Sequence, residues 1–271
     1  MSADPKVSIH PNSASLAAAV AARLITRLVD VQTERGTATV VLTGGSIGTA
    51  ALQAVAESPA SAAVDWPNVH FWWGDERFLR AEDGERNAVQ ARAALLDRLQ
   101  VDPVKVHEFG SKDEFPDQDA AAVGYSAELQ AAAVAEGGDL SPDSRLPRFD
   151  VLLLGVGPDA HIASLFPEMA GIRTKGQTVV GVVDAPKFPP QRISLTLEAI
   201  NTAREVWLAV SGKDKAGAVG LALAGAGHVQ VPAAGPRGLR KTLWLIDQDA
   251  AEQLPGRLID HEDDSDEPTG E

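Results

Sequence analysis

The chain has 271 residues, 44% of them hydrophobic, and no cysteine. That is enough apolar material for one large α/β domain or two small ones, and the missing thiols exclude disulfides, zinc–thiolate sites and cysteine nucleophiles. A formal net charge of -14 argues against a nucleic-acid or anionic-membrane surface, so a phosphorylated ligand would have to be met by a few well-placed cations.

Met1 to Lys6 lacks the basic and apolar regions of a signal peptide. No 18-residue apolar run occurs, because Leu16 to Val29 is broken by Arg23 and Arg27, and a cytoplasmic protein is expected. Asn12 or Ser13 can cap a helix presenting Leu16, Val20, Leu24, Ile25 and Leu28 and ending at Gly36. A strand over Thr39–Thr43 leads into Gly44-Gly45-Ser46, which opens a second helix through Leu52. Asn68–Trp73 is the next strand and runs into Gly74-Asp75-Glu76-Arg77. A helix from Asn87 to Leu99, a short strand from Val104 to Phe109 and an alanine-rich helix from Asp117 to Ala135 follow. After a polar loop, the wholly apolar Val151–Leu154, with Phe149 just before it, reads as a buried parallel strand. Strands near Thr178–Val183, Arg192–Leu195, Val206–Val210 and Thr242–Ile246 complete the set, with a helix from Lys213.

This alternation predicts an α/β fold, a mostly parallel sheet covered by helices on both faces. We expect a single domain over residues 1–250 and an acidic, disordered tail over 251–271, since His261–Glu271 carries six carboxylates and no cation. The remaining histidines, His10, His70, His107, His228 and His261, show no metal-ligand spacing, and no metal site is expected.

Four strand ends carry polar groups where ligands sit in such sheets. Gly44, Gly45 and Ser46 form a strand-to-helix turn whose N–H groups suit a phosphate, although such turns are also common without one. Asp75 and Arg77 follow a buried strand. The guanidinium can clamp an oxyanion, with Asp75 orienting it or a sugar hydroxyl, or the charges can form an ordinary solvated loop. The turn from Gly155 through Gly157 delivers Asp159 and His161 together, and a short helix is expected to start at His161. That histidine is a candidate general base, or a satisfied structural group. Ser211-Gly212-Lys213-Asp214-Lys215 precedes a helix. A lysine in a first turn opposes the helix dipole, which a bound anion would relieve, and Lys213, nearer the turn, is favoured over Lys215. Gly155–Ala160 also matches a dinucleotide fingerprint, with Asp184 as a ribose-binding acid. Pro158 and Pro167 leave room for only about two helical turns there, so no cofactor is expected.

Taken together, Gly155-Val-Gly-Pro-Asp-Ala-His-Ile-Ala-Ser-Leu-Phe-Pro167 resembles the signature of 6-phosphogluconolactonases, Gly-x-Gly-x-Asp-Gly-His-Thr-Ala-Ser-Leu-Phe-Pro. Gly44-Gly45-Ser46, Gly74–Arg77 with Asn87, Arg192–Thr196 and Gly212-Lys213 are similar to that family's other blocks in the same order, from about Pro11 to Asp247. Three departures stand out: Ala160 for Gly, Ile162 for Thr, and Ile47-Gly48 for Thr-Pro. The first leads us to expect a negative φ at Ala160.

The resemblance implies hydrolysis of 6-phospho-D-glucono-1,5-lactone to 6-phosphogluconate in the oxidative pentose phosphate pathway, without a metal. It also implies a Rossmann-like fold shared with glucosamine-6-phosphate deaminases. Deaminases continue the motif as Ile-Ala-Phe-Asn-Glu-Pro, whose Glu assists ring opening, whereas Ser164-Leu165-Phe166-Pro167 stands here. The expected mechanism has His161 as base, helped by a helix N-terminus that disfavours imidazolium, and backbone N–H groups of Gly155 to Gly157 on the oxyanion. Arg77, Lys213, the Ser46 turn and Arg192 would hold the phosphate, with Asp75 and Asp159 as orienting groups. The expected partner is a small phosphosugar lactone, with no nucleic acid and no membrane, and the expected state is a monomer. The alternatives are a deaminase-like isomerase and a non-catalytic phosphosugar sensor.

Overall fold

The computed structural model describes residues 5–137 and 140–254, so the acidic tail lies outside the described residues from 255 onward. The chain runs β1 (Lys6–His10), α1 (Ser13–Arg35), β2 (Ala38–Leu42), α2 (Gly45–Glu57), β3 (Val69–Trp73), β4 (Asp75–Arg77), α3 (Asn87–Ala94) and α4 (Gln118–Ala135). It continues β5 (Val151–Leu154), α5 (Ala170–Arg173), β6 (Val179–Val182), β7 (Arg192–Leu195), α6 (Leu197–Ile200), β8 (Glu205–Val210), α7 (Ala216–Leu223), β9 (Lys241–Asp247) and α8 (Gln248–Ala251). Local signals set the ends of α1 as expected. The Asn12 side chain accepts from the Ser15 N–H, and Gly36 closes the helix at φ +80°, where a side chain would be strained.

Six strands form one parallel sheet in the order β1-β9-β8-β5-β2-β3. From β2 the chain steps outward to β3, whereas β5, β8 and β9 add on the other side of β2. The strand order therefore reverses between β2 and β5, and such a switch point opens a crevice beyond the carboxyl ends of the strands. All four residues of β5 are buried, as expected of a central strand covered on both faces. Just before it, the fully buried Asp150 accepts from the Thr39 N–H (2.9 Å), Arg35 (3.0 Å) and Arg148 (3.0 Å). That carboxylate pins β5 to β2 at the edge opposite the crevice.

The elements differ from the sequence reading in several places. β1 has no counterpart there; its five residues pair in parallel with β9 at the sheet edge. The strands over 178–183 and 192–195 do not enter the main sheet. They form an antiparallel three-stranded sheet, β4-β7-β6, because no helix separates them to make the crossover a parallel pair needs. The strand expected over Val104–Phe109 is instead a 3-10 turn, Pro103–Lys105, with one bridge from Val106 to Phe71. Pro103 has no N–H for a ladder, and the Asp102 side chain caps the turn at the Val104 N–H. Finally, the helix from Asn87 stops at Ala94 and continues only as a 3-10 turn, Leu96–Arg98.

His70 on β3 is half-buried, with its Nδ1 3.2 Å from His107 Nε2, while His107 Nδ1 lies 2.6 Å from Glu128. Burial, followed by the charges of His107 and Lys105, pushes the His70 imidazole down to about 4. An unfolded imidazole titrates near ~6.5, so the unfolded chain takes up a proton that the folded chain refuses, and stability falls as pH drops from ~6.5 towards 4. His70→Asn should therefore lose less melting temperature than the wild type between pH 7.5 and pH 5. Equal losses in thermal melts would show that another group carries the acid sensitivity.

Candidate active site

The crevice is lined from the ends of β2, β3, β5 and β8 and from the antiparallel sheet. It is a small cleft of about 190 Å³. After β5 the chain makes a tight turn: the Ala160 N–H donates to the Gly157 carbonyl (2.8 Å), and the Gly157 N–H donates to the His161 carbonyl (2.9 Å). A β-turn closed in this way takes a left-handed residue next, and Ala160 has φ +68°. The expected negative φ is thus corrected. The glycine of the family motif answers to this backbone, and Ala160 holds it at a cost of roughly 1–2 kcal/mol. No helix starts at His161 either; residues 162–165 are bridged turns, and α5 begins at Ala170. The expected help from a helix dipole at the imidazole is therefore missing.

Neighbouring side chains orient the imidazole instead. His161 Nδ1 lies 2.6 Å from Asp159 Oδ1, and its ring packs 4.5 Å from the ring of the fully buried Phe166. Burial works against the Asp159 charge, but the His161 hydrogen bond and the charges of His161 and Lys187 outweigh it, holding the carboxyl at about 2. An ionised Asp159 requires Nδ1 to donate, which leaves Nε2 as the lone-pair nitrogen. Gly157 is needed for this packing: a Cβ there would overlap His161 Nδ1 and sit 2.6 Å from Asp159 Oδ1.

The facing wall comes from β4 and α3. Asp75 is buried and accepts from Ser164 Oγ (2.7 Å) and, through its carbonyl, from Asn87 Nδ2 (2.9 Å). Its carboxylate is therefore committed to Ser164 rather than to Arg77, whose Nη1 donates to the Glu85 carbonyl. The Asn87 amide occupies the space that a Cβ on Gly44 would fill, which explains a glycine at the start of α2. Beneath them Glu76 is fully buried. Burial pushes its carboxyl up to about 7 against the pull of three backbone N–H groups and Arg86.

The cleft brings together Gly44, Gly45, Asp75, Arg77, Asn87, Gly155, Gly157, His161 and Arg192, with Asp159 supporting from behind the imidazole. Ser46 is exposed in the first turn of α2 and does not line it. Lys213 is turned away and paired with Glu252 (2.9 Å), whereas Lys215 lines the cleft while held by Asp214 (2.9 Å). The reason is local. Lys213–Lys215 is a 3-10 turn, and the α-helix starts only at Ala216, so the register of the lysines differs from that of a helix begun at Lys213. The expected oxyanion donors are also reduced. The Gly155 N–H donates to Thr43 Oγ1 (3.3 Å) and that of Gly157 to His161, which leaves Val156 as the residue of that turn with no acceptor among the described residues. The sequence reading missed Lys187, which lines the cleft with its Nζ 3.4 Å from Asp159. Its only signal was a cation in the proline-rich segment before Arg192. Buried Arg192 donates to the carbonyls of Lys187, Phe188 and Pro189 and so shapes that segment. Among the described residues, no cluster of His, Asp or Glu is arranged to hold a metal ion, and no helix is long and apolar enough to cross a membrane.

Residues 11–244 match the family described as glucosamine-6-phosphate isomerases/6-phosphogluconolactonase. The chain belongs to this family. It is 54% identical over 260 residues to the 6-phosphogluconolactonase of Streptomyces coelicolor, covering 95% of this chain and 98% of that one. Among solved structures, the 6-phosphogluconolactonase of Trypanosoma brucei superposes with TM-score 0.77 at 25% identity, over 93% of this chain and 99% of that one. A monomeric glucosamine-6-phosphate deaminase shares the fold at TM-score 0.73 and 18% identity, over 92% of this chain and 99% of that one. The Rossmann-like architecture expected from the sequence is thus that of the family, with the small antiparallel sheet added at the crevice.

Because Gly157 abuts both His161 and Asp159, Gly157→Ala should displace the pair without unfolding the chain. A displacement of about 1 Å in a reacting group costs on the order of 10²-fold in turnover. Circular dichroism and lactone hydrolysis on the same sample check this, and wild-type turnover in Gly157→Ala would refute the proposed contact.

Proposed function

We propose that the chain hydrolyses 6-phospho-D-glucono-1,5-lactone to 6-phosphogluconate, with His161 as the general base. One observation carries this reading: the Asp159–His161 pair faces a cleft that Arg77, Arg192, Lys187 and Lys215 also line. Water attacks the lactone carbonyl as His161 Nε2 takes its proton, and Asp159 stabilises the imidazolium that forms. The Val156 N–H receives the developing oxyanion. His161 then returns the proton to the ring oxygen as the C1–O bond breaks, so the base is regenerated and one water is consumed. The four cations hold the phosphate, helped by the unsatisfied N–H groups at the start of α2.

We place the enzyme in the cytoplasm, acting as a monomer. No step needs a metal, so chelators should leave the rate unchanged. Phe166 stands where the deaminase motif has its Glu, and it packs between the His161 ring and, 5.6 Å away, the Arg192 guanidinium. An apolar ring there supplies no acid for opening an amino sugar, which favours the lactonase over the isomerase.

The test couples glucose-6-phosphate dehydrogenase to 6-phosphogluconate dehydrogenase near neutral pH and counts only acceleration above spontaneous opening. His161→Ala should lower turnover by about 10²- to 10⁴-fold while keeping affinity for 6-phosphogluconate. Near-normal turnover in that variant would exclude His161 as the base. Tight phosphosugar binding without wild-type turnover would point to a sensor, and ammonia release from glucosamine 6-phosphate to a deaminase.

A further inference from the structure

Glu76 lies between two residues of the cleft and yet does not reach it. On β4, Asp75 and Arg77 point towards the cleft and Glu76 points the other way, into the protein, where it is fully buried. Its Oε1 accepts from the Arg77 N–H (2.8 Å) and the Asn87 N–H (2.7 Å), and its Oε2 accepts from the Ala88 N–H (2.9 Å). Arg86 Nε stands 3.7 Å from Oε2, also buried. Helices leave their first N–H groups without internal partners, and Arg86 at the start of α3 supplies no side-chain cap. The cap comes instead from another element, a strand eleven positions earlier in the chain.

The consequence reaches three walls. Arg77 is fixed through its own amide, Asn87 through the first turn of α3, and Gly44 through the Asn87 amide that lies against it. We propose that Glu76 is a positioning residue of the cleft, its single carboxylate setting the spacing of Arg77, Asn87 and the start of α2 for the phosphosugar. This rests on the reading that Arg77 and Asn87 contact that ligand. A cap serving stability alone would need only the α3 amides; the bond to the Arg77 amide from the same oxygen ties the helix to the cation.

The first measurement is 6-phosphogluconate binding to wild type and to Arg77→Ala. Unchanged affinity in Arg77→Ala would remove Arg77 from the site and so refute the site reading rather than the role of Glu76. With Arg77 established, Glu76→Gln and Glu76→Asp are tested for cooperative melting, KM, kcat and 6-phosphogluconate Kd. The glutamine keeps an acceptor for Arg77 and Asn87 but turns an NH₂ towards the Ala88 N–H, and the aspartate keeps the charge for Arg86 on a shorter arm. Positioning predicts that KM and Kd rise about tenfold while kcat changes little. It also predicts that Glu76→Gln adds less to Kd in the Arg77→Ala background than in the wild type, because the part of its effect that runs through the Arg77 side chain is already lost. Lower melting temperature with unchanged Kd, or losses that multiply as independent ones, would make Glu76 a structural cap and overturn the proposal. Should both Glu76 variants fail to fold, amide hydrogen exchange of the wild type decides. Slower exchange at Asn87 and Ala88 with saturating 6-phosphogluconate supports the link, and unchanged exchange refutes it.

Discussion

The whole site depends on the reversal of strand order between β2 and β5. Neighbouring parallel strands whose connections run in opposite directions leave their carboxyl ends uncovered, and polar turns gather there without any buried backbone being left unpaired. Gly44–Gly45 leaves β2, the Gly155–His161 turn leaves β5, the Asp75–Arg77 strand follows β3, and Lys215 follows β8. With Lys187 and Arg192 from the segment entering β7, these elements bring His161, backed by Asp159, and four cations to one small cleft. At the opposite edge Asp150, satisfied by Thr39, Arg35 and Arg148, locks β5 to β2. The cleft lies at one edge of the sheet and this carboxylate at the other.

Within the cleft the electrostatics are divided between sharply different surroundings. Asp159 stays ionised because His161 and Lys187 stabilise its charge, and that charge fixes the tautomer of the imidazole. Asp75 is buried and occupied by Ser164 and Asn87, so it shapes the wall of the cleft. Phe166 supplies an apolar surface to both His161 and Arg192. The His161 imidazole and the Arg192 guanidinium thus rest on one ring, whose position the backbone of the signature motif sets.

The central strands are legible in the sequence because burial on both faces leaves unbroken apolar runs, as at Val151–Leu154 and Phe71–Trp73. His161, Arg77, Asn87 and Arg192 can also be placed in one site, since each directly follows or opens a recognisable element. What stays hidden is set by contacts distant in the chain. β1 is exposed or half-buried along its length and so carries no unbroken apolar run, and β6 and β7 cannot be told from strands of the main sheet by composition. The choice between Lys213 and Lys215 turns on a 3-10 turn that shifts the side-chain register, which no periodicity over three residues reveals. Ala160 is misjudged when alanine's own preference is taken as decisive, because two hydrogen bonds of the turn impose the left-handed backbone. Lys187 sits in an irregular segment held by the Arg192 guanidinium, a tertiary constraint with no local mark.

Arg192 has a consequence for how the cleft adapts to what enters it. Its guanidinium donates through Nε and Nη2 to three successive carbonyls, so the backbone of 187–189 is tethered although the Lys187 side chain remains partly exposed. Across the cleft, the Ser164–Asp75 bond and the Ser194 hydroxyl that accepts from the Ser164 N–H bolt the antiparallel sheet to the signature turn. Neither wall can swing open without breaking buried hydrogen bonds. The lining is then a fixed mould, with two ion-paired lysine side chains set at its rim.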